Sequence, residues 1–540
     1  MIDTLRSDHL PSYGYHRETA PFLARLAEEG IQLQGYAVSS WTRPSVATLL
    51  TGLYPQRHRA VDRTDTLPDS AAYLPALLAE QGFDTLGVVT NGNVSSQLGF
   101  DRGHREYAEF PGAKARRVSR EALERARELE PPYYLYLHYL DPHDPYAPDA
   151  PWGGSPEDLE DAPQPGQFLR GELPATDDNV GRMRDLYDAL IARADEGVAQ
   201  LIRGLDELGL LEDTLVVVTA DHGEEFGEHG RFAHGHSLFE ELVQVPLIFW
   251  SPSGLEPYQS NAAFHQVDFL PTALEALGLE PPGDLDGRSL WPEVAHGRLE
   301  SEARLFHLEL EGYDKAALYA PPYKLIRKHE QPQPKYWLYD LERDAKENEP
   351  LRGSEELRSR LARELFGEEW GLTAARLENR ETELTGEVRD QLEALGYLGA
   401  GESPQPGAER ESLDLERVLD LRRANRQLLD GWLLRDENGT WSAPRAELVL
   451  PVSEGSRRLV VSGRRDDDRR GEIRCRISVG GVTQVFEIEP GPFKAQIELP
   501  AKLQNEGLAF VELEIEPSTR IREVAGPVGL HFQGFAIIPE

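Results

Sequence analysis

The residues best suited to chemistry lie between Asp221 and His236, inside the stretch TLVVVTADHGEEFGEHGRFAHGHSLFEELVQVPLI over 214–248. A β-branched apolar run, Leu215 to Thr219, has the composition of a buried parallel strand. It stops at Ala220-Asp221-His222-Gly223. An acid and an imidazole side by side just past the carboxyl end of a strand occupy the place where open α/β sheets hold their ligands. His229, His234 and His236 follow, and Glu240 and Glu241 lead into a second apolar strand, Val245 to Trp250. Asp and His together bind a divalent metal through oxygen and nitrogen. A lone Asp-His pair reads more simply as a polar turn. This density of imidazoles and carboxylates points to a metal or anion site.

A second group of candidates sits near the N-terminus. Asp3 stands at the mouth of what should be the first strand, of which only Met1 and Ile2 are present. Pro21 to Gly30 carries a helical apolar pattern (Phe22, Leu23, Leu26, Ala27) closed by Gly30. Then comes SSWTRPSVATLLTG over 39–52, in which Thr42 reads as a helix N-cap and Pro44 is tolerated in the first turn. A hydroxyl there lies close to free backbone N–H groups, which suit a tetrahedral anion. Bound to a metal, such a hydroxyl would lose its proton more readily and could attack phosphorus or sulfur. Tyr133 to Tyr146 reads as an apolar strand ending in a Pro-bounded loop with His138, Asp141, His143 and Asp144. His138 fits equally well as a core residue alternating with Tyr.

These segments resemble the sulfatase family of the alkaline phosphatase superfamily. The resemblance rests on IDTLRSDHL with YGY and TAPFLARLAEEG, TRPSVATLLTGLYPQRH, LHYLDPHDPY, TADHGEEFGEHG with HGHSLFEELVQVPLI, VDFLPTALEALGL and YWLYDLERDAKENEPL, in the family's order over residues 1 to about 400. It implies an alkaline-phosphatase-like α/β fold with a mostly parallel sheet flanked by helices and a small C-terminal antiparallel subdomain. It implies one divalent metal ion (Mn, Zn, Ca or Mg) on Asp3, Asp221, His222 and the Thr42 hydroxyl. It places Thr42 at the nucleophile position, and His143, His234 or His236 on the transferred oxygens or the leaving group.

The chain departs from the family pattern at chemically important places. Sulfatases write the nucleophile motif as Cys or Ser, any residue, Pro, Ser, Arg, and oxidise the first residue to formylglycine. Here the string is Thr42-Arg43-Pro44-Ser45-Val46. Thr carries a methyl on Cβ and cannot give that aldehyde, and Val46 stands where the Arg would be. Where the family has paired acids at the first metal position, this chain has Asp3 and Thr4, with only one carboxylate. No Lys-x-His follows the third strand, where Thr90-Asn91-Gly92-Asn93 stands instead. These departures run toward phosphoryl chemistry, which needs positioning, a metal and hydrogen-bond donors but no aldehyde. Nucleotide phosphodiesterases and phosphoglycerol transferases of the superfamily use an unmodified Thr.

Composition sets further bounds. The 540 residues carry a formal charge of −37, with a pI near 4.8. Such a chain is not expected to bind nucleic acid or an anionic membrane through bulk charge. A small anionic ester, glycan or lipid head group must then be drawn in by the metal and by local Arg or His. One cysteine, Cys475, permits no intramolecular disulfide, and no apolar run reaches the roughly eighteen residues of a membrane span. No signal peptide opens the chain, which as it stands reads as cytoplasmic. The family's full first strand implies a start shortened by about six to ten residues, and any export signal would have gone with them.

The organisation follows from composition shifts. Residues 1–300 read as the catalytic α/β core, and 301–398 as its C-terminal subdomain. Residues 399–445 read as a Gly/Pro/Ser/Glu linker and a helix, Leu413 to Leu434, and 446–540 as a β-sandwich-like domain of short alternating strands. The sequence reading is thus a metal-dependent hydrolase or transferase of sulfate, phosphate or phosphonate esters. The rival is a catalytically silent relative that binds an anionic glycan.

Overall fold

The computed structural model describes residues 1–394 except 160, 311–312, 330–333, 383 and 385, and beyond them the segments 419–420, 428–436, 439–451, 458–465, 473–479, 481–488, 491–499, 508–517 and 531–538. It divides into two compact units. One comprises Met1–Lys324, Tyr339–Glu349 and Gly371–Pro406, the other Leu325–Leu338, Pro350–Trp370 and Gly407–Glu540.

In the first unit the buried β-branched runs form strands. Asp84–Val89 lies between Glu106–Glu109 and Tyr133–Leu137, all three parallel. A second sheet has the order Val216–Thr219, Gln244–Trp250, Ile31–Tyr36, Tyr258–His265. Gln244–Trp250 runs antiparallel to both its neighbours, and the last two strands run parallel. Between the two sheets sits Ile2, which bridges in parallel to Tyr139 on one side and Ala220 on the other. Ile2 N–H donates to Thr219 O and Asp3 N–H to Tyr139 O, both at 2.9 Å. Ile2 thus forms the seam between the two sheets, and it delivers Asp3 to the carboxyl end of its neighbours.

Alternation along the strands feeds a core on each face. Leu86 and Val88 pack with Leu23, Leu26, Val118, Leu186, Leu190 and Ile191, the apolar stripes of helices Pro21–Glu29, Ala115–Ala126 and Asp177–Glu207. Val89 and Tyr136 pack with Val46, Leu50, Leu74 and Leu270 on the other side. The 31-residue helix Asp177–Glu207 opens with Thr176, whose side chain accepts from Asn179 N–H at 3.3 Å, and with two acids in its first turn. Two covered faces and a mostly parallel sheet match the expected α/β architecture.

Further along, Arg304–Leu310 and Tyr313–Ala320 form an antiparallel pair, and strands Tyr323–Lys328 and Lys335–Asp340 follow. Among the described residues of the second unit, nine strands between 419 and 538 share one antiparallel sheet. The helix expected over Leu413 to Leu434 is not found where the chain is described. Residues 419–420 and Leu428–Asp436 are strands, and the rest of that span lies outside the described residues. Backbone pairing decides it: Leu428 stands opposite Leu448 and Trp432 opposite Ser442. Among the described residues no helix is long and apolar enough to cross a membrane.

Candidate active site and metal centre

Three strand ends meet at one point. Asp3 follows the seam, Asp221 and His222 follow Val216–Thr219, and His138 follows Tyr133–Leu137; all four are fully buried. Asp3, Asp221 and His222 each offer a ligand atom within 4.8 Å of the others. Thr4 adopts a left-handed φ of 52°, and its N–H donates to Asp221 Oδ1 at 3.1 Å. His222 N–H donates to the same oxygen at 2.9 Å. Asp3 Oδ2 accepts from Asn91 Nδ2 at 2.7 Å and meets His138 Nε2 at 3.2 Å. The remaining oxygens, Asp3 Oδ1 and Asp221 Oδ2, are buried with no hydrogen-bond partner. Two orphaned carboxylate oxygens beside an imidazole nitrogen are costly unless a cation completes them, so the donor set fits a divalent ion.

The electrostatics follow from this crowding. Burial, together with the charge of Asp3, pushes the Asp221 carboxyl up to about 6. Burial also opposes the charge on Asp3, yet His143, His138 and His222 hold its carboxyl below the usual carboxylate range. Burial pushes His222 down to about 4 despite its acidic neighbours. Its Nδ1 lies 2.9 Å from Gly223 O, which can only accept, so Nδ1 carries the proton and Nε2 presents a lone pair.

Thr42 Oγ1 lies 3.4 Å from that His222 Nε2 and 3.4 Å from Asn91 Nδ2. It is the first residue of helix Thr42–Thr51, which is buried throughout its length. The capping expectation needs correction. The N-cap is Trp41, in an extended conformation, and no side chain caps the helix. The Thr42 hydroxyl lies within reach of both the imidazole and the amide. Arg43, next in sequence, is equally buried but turns away: its guanidinium reaches Asn93 Oδ1 at 3.1 Å and the Asp62 carbonyl. The glycine Gly52, at a φ of 67°, ends the helix.

The imidazoles form a chain leading away from Thr42. The His222 and His234 rings are 4.4 Å apart, and His234 and His143 are 4.9 Å apart. Gly235 N–H donates to Ser40 O at 2.8 Å, which ties the His234 loop to the residues before the Thr42 helix. His143, Asp144 and His234 also offer ligand atoms within 4.8 Å of one another. Burial lowers the His143 pKa, but Asp3, Asp144 and Glu224 overcome it and raise it to about 9. Burial and the nearby His143 push His234 down to about 3. His236 is placed differently. Its Nε2 meets Glu225 Oε2 at 2.8 Å and its Nδ1 meets the His234 carbonyl at 3.2 Å, so it braces the loop that carries His234.

Sequence reasoning passed over Asn91 and Glu224. Asn91 was visible only as part of the Thr90-Asn91-Gly92-Asn93 stretch that stands in place of the family's Lys-x-His, yet it touches both Asp3 and Thr42. Glu224 Oε1 meets His234 Nδ1 at 3.0 Å and Glu224 Oε2 accepts from Tyr146 OH at 3.0 Å; burial pushes its pKa up to about 7. Its position two residues beyond His222 was the available signal. Of the Pro-bounded loop's two acids, Asp141 is structural: it accepts from Ala115 N–H at 2.8 Å and pairs with Arg193 at 2.5 Å.

Comparison with known proteins bears on this geometry. The family model described as Sulfatase matches residues 1–279, and one described as N-sulphoglucosamine sulphohydrolase, C-terminal, matches residues 227–368. The chain is 28% identical over 433 residues to the low-salt glycan biosynthesis sulfotransferase Agl7 of Haloferax volcanii, covering 74% of this chain and 95% of that one. It is 26% identical to the multifunctional alkaline phosphatase superfamily protein PehA of Trinickia caryophylli, covering 58% of this chain and 80% of that protein. Among solved structures, the phosphonate monoester hydrolase of Agrobacterium radiobacter superposes with a TM-score of 0.57 at 20% identity, over 72% of this chain and 97% of that one. A protein solved in complex with its substrate D-glucosamine-2-N,6-O-disulfate superposes with a TM-score of 0.58 at 20% identity, over 69% and 97%.

Proposed function

The chain belongs to the sulfatase family, and from that membership we propose that it is a metal-dependent hydrolase or transferase of sulfate, phosphate or phosphonate esters with Thr42 as its nucleophile. The observation that carries the proposal is the Thr42 hydroxyl, 3.4 Å from His222 Nε2 and beside two buried carboxylate oxygens that lack partners. Asp3, Asp221, His222 and the Thr42 hydroxyl would hold one divalent ion. When bound, that ion supplies Lewis acidity to the hydroxyl and to the transferred group.

The chain's own residues do the rest. Asn91 and His138 hold Asp3 in place through its Oδ2. The amide ends of helix Thr42–Thr51 face an anion held at Thr42. His143 and His234, in the chain of imidazoles that starts at His222, stabilise the transferred oxygens or the leaving group, while His236, through Glu225 and the His234 carbonyl, is a positioning residue. Water or an acceptor alcohol then releases the group from Thr42. A small anionic ester, of a glycan or a lipid head group, is the substrate class. The 28% identical relative named a glycan biosynthesis sulfotransferase supports testing alcohol acceptors beside water.

The deciding experiment combines metal analysis with turnover of aryl sulfate, phosphate monoester, phosphodiester and phosphonate ester substrates, each with and without added acceptor alcohol. Bound divalent metal together with turnover that depends on Thr42 supports the reading. A metal-free protein that turns over none of them, yet binds a sulfated glycan, supports the silent alternative.

A further inference from the structure

The four-stranded sheet of the first unit carries a second cavity, of about 330 Å³, that the ester-cleaving reading does not use. Its walls are amides and hydroxyls: Gln32, Gln34, Gln244, Ser12, Ser260 and Asn261 are among them, and no aliphatic side chain lines it. The sequence explains the polarity. In Ile31–Tyr36, Ile31 and Leu33 enter an apolar layer with Leu247 and Phe249. Gln32 and Gln34 alternate with them and bring their amides to the opposite face.

The edge strand opens the space. Gln32 pairs with Gln259 and Gln34 with Ala263, so Ser260, Asn261 and Ala262 stand opposite Leu33 alone. A bulge of this kind bends the strand and re-aims its side chains. It is what presents Ser260 and Asn261 to the cavity.

Gln32 is only 6% exposed, and its Nε2 donates to Ser12 O at 3.0 Å. Its Oε1 is buried with no hydrogen-bond partner, and so is Ser12 Oγ. Native structures rarely leave such atoms unpaired. The charge at the rim is already balanced, because both carboxylate oxygens of Asp8 accept from Arg6 at 2.8 Å. The cavity therefore offers no net attraction for an ion and little apolar surface for a hydrophobic ring. Side-chain amides offer a donor and an acceptor together, which complements neighbouring hydroxyls that must do both.

We infer that this cavity binds a neutral sugar residue, separately from the Thr42 site. Its volume falls at the small end of ligand pockets, about 300–1,000 Å³, and suits a monosaccharide unit. None of its lining residues belongs to the Asp3, Thr42, Asp221 and His222 constellation.

The test is saturation-transfer NMR and calorimetry on the full chain with glucose, galactose and N-acetylglucosamine. At least one should bind with a Kd on the order of 1 mM, and binding should survive Thr42→Ala, whatever that variant does to ester turnover. Asn261→Ala, at an exposed position in the bulge, should weaken binding by about 10-fold or more with an unchanged melting curve. Gln32→Leu should weaken it at least as much. Absence of binding by all three sugars overturns the inference. So does binding that is lost with Thr42→Ala but unaffected by Asn261→Ala.

Discussion

The Nε2 atom of His222 lies 3.4 Å from the hydroxyl oxygen of Thr42, although 180 positions separate the two in the chain. With Nδ1 engaged by a carbonyl, that nitrogen can accept the hydroxyl proton or share a cation with the oxygen. Either role makes Thr42 the residue to change first. Thr42→Ala should lower turnover of every ester by about 10³-fold or more, and Thr42→Ser should retain part of it. Initial rates on the purified variants, with circular dichroism to show an unchanged fold, check this. Equal activity in Thr42→Ala would assign the attack to water or another group.

Metal affinity should depend on Asn91. Its amide holds Asp3 Oδ2 at 2.7 Å, and removing a group that orients a ligand costs about 10- to 100-fold in metal affinity. Competition titration of Asn91→Ala against a fluorescent chelator gives the number. Unaltered affinity would mean that Asp3 is fixed by His138 and the seam alone.

Lys324 is fully buried between Glu240 and Glu347, with Nζ 2.7 Å from one carboxylate and 3.1 Å from the other. Their charges hold its pKa above the ordinary value against burial. Lys324→Met would strand two buried acids and should cost about 3–5 kcal/mol. The triple variant Lys324→Met, Glu240→Gln, Glu347→Gln should recover most of that loss. Urea midpoints of the three proteins decide the matter.

Asp195 gives a pH signature away from the reaction. Its carboxylate accepts from Phe22 and Leu23 N–H at the start of helix Pro21–Glu29, yet burial pushes its pKa from 3.8 up to about 6. A carboxyl raised on folding binds its proton more tightly in the folded state. Its stabilising contribution is full below the unfolded value and is lost as pH rises through about 6. Wild type should therefore lose about 1–3 kcal/mol relative to Asp195→Asn between pH 4 and pH 7. Parallel unfolding curves across that range would refute it.

Phosphorus esters should be turned over faster than sulfate esters. Thr42 cannot become formylglycine, and Val46 stands where the motif has its Arg, so neither element of the aldehyde motif is at hand. Side-by-side kcat/KM values on one aryl series answer this. Sulfate release at least as fast as any phosphorus ester, with Thr42 intact by mass, would reverse the assignment.

Much of the site was legible because strand ends announce themselves. Asp221-His222 after Leu215 to Thr219 and Asp3 after Ile2 required only the rule that ligands gather at carboxyl ends of strands. Thr42 is legible as a helix start, though it is the first helical residue and not the N-cap, and its pairing with His222 came from the family resemblance, because the two are remote in sequence. Asn91 and Glu224 were missed for the same reason: an amide or an acid acquires meaning only from what the fold sets opposite it. His236 shows the converse, since three His in one short loop look equivalent until Glu225 claims one. In the second unit, the run read as a helix to Leu434 is a strand where it is described, at 419–420 and Leu428–Asp436, and the pairing of Leu428 with Leu448 was not visible in the spacing.

The seam at Ile2 has a mechanical meaning. Ile2 bridges in parallel to Tyr139 on the side of Tyr133–Leu137 and to Ala220 on the side of Val216–Thr219, and the chain leaves it at once through the left-handed turn of Thr4. Asp3 and Asp221 follow the two bridged residues. An ion gripped by both would act as a clasp across that join, and its binding energy would be folding energy. Stripping it would release more than a reagent: it would undo the clasp between the two sheets, so chelation should lower the melting temperature of the first unit along with its turnover.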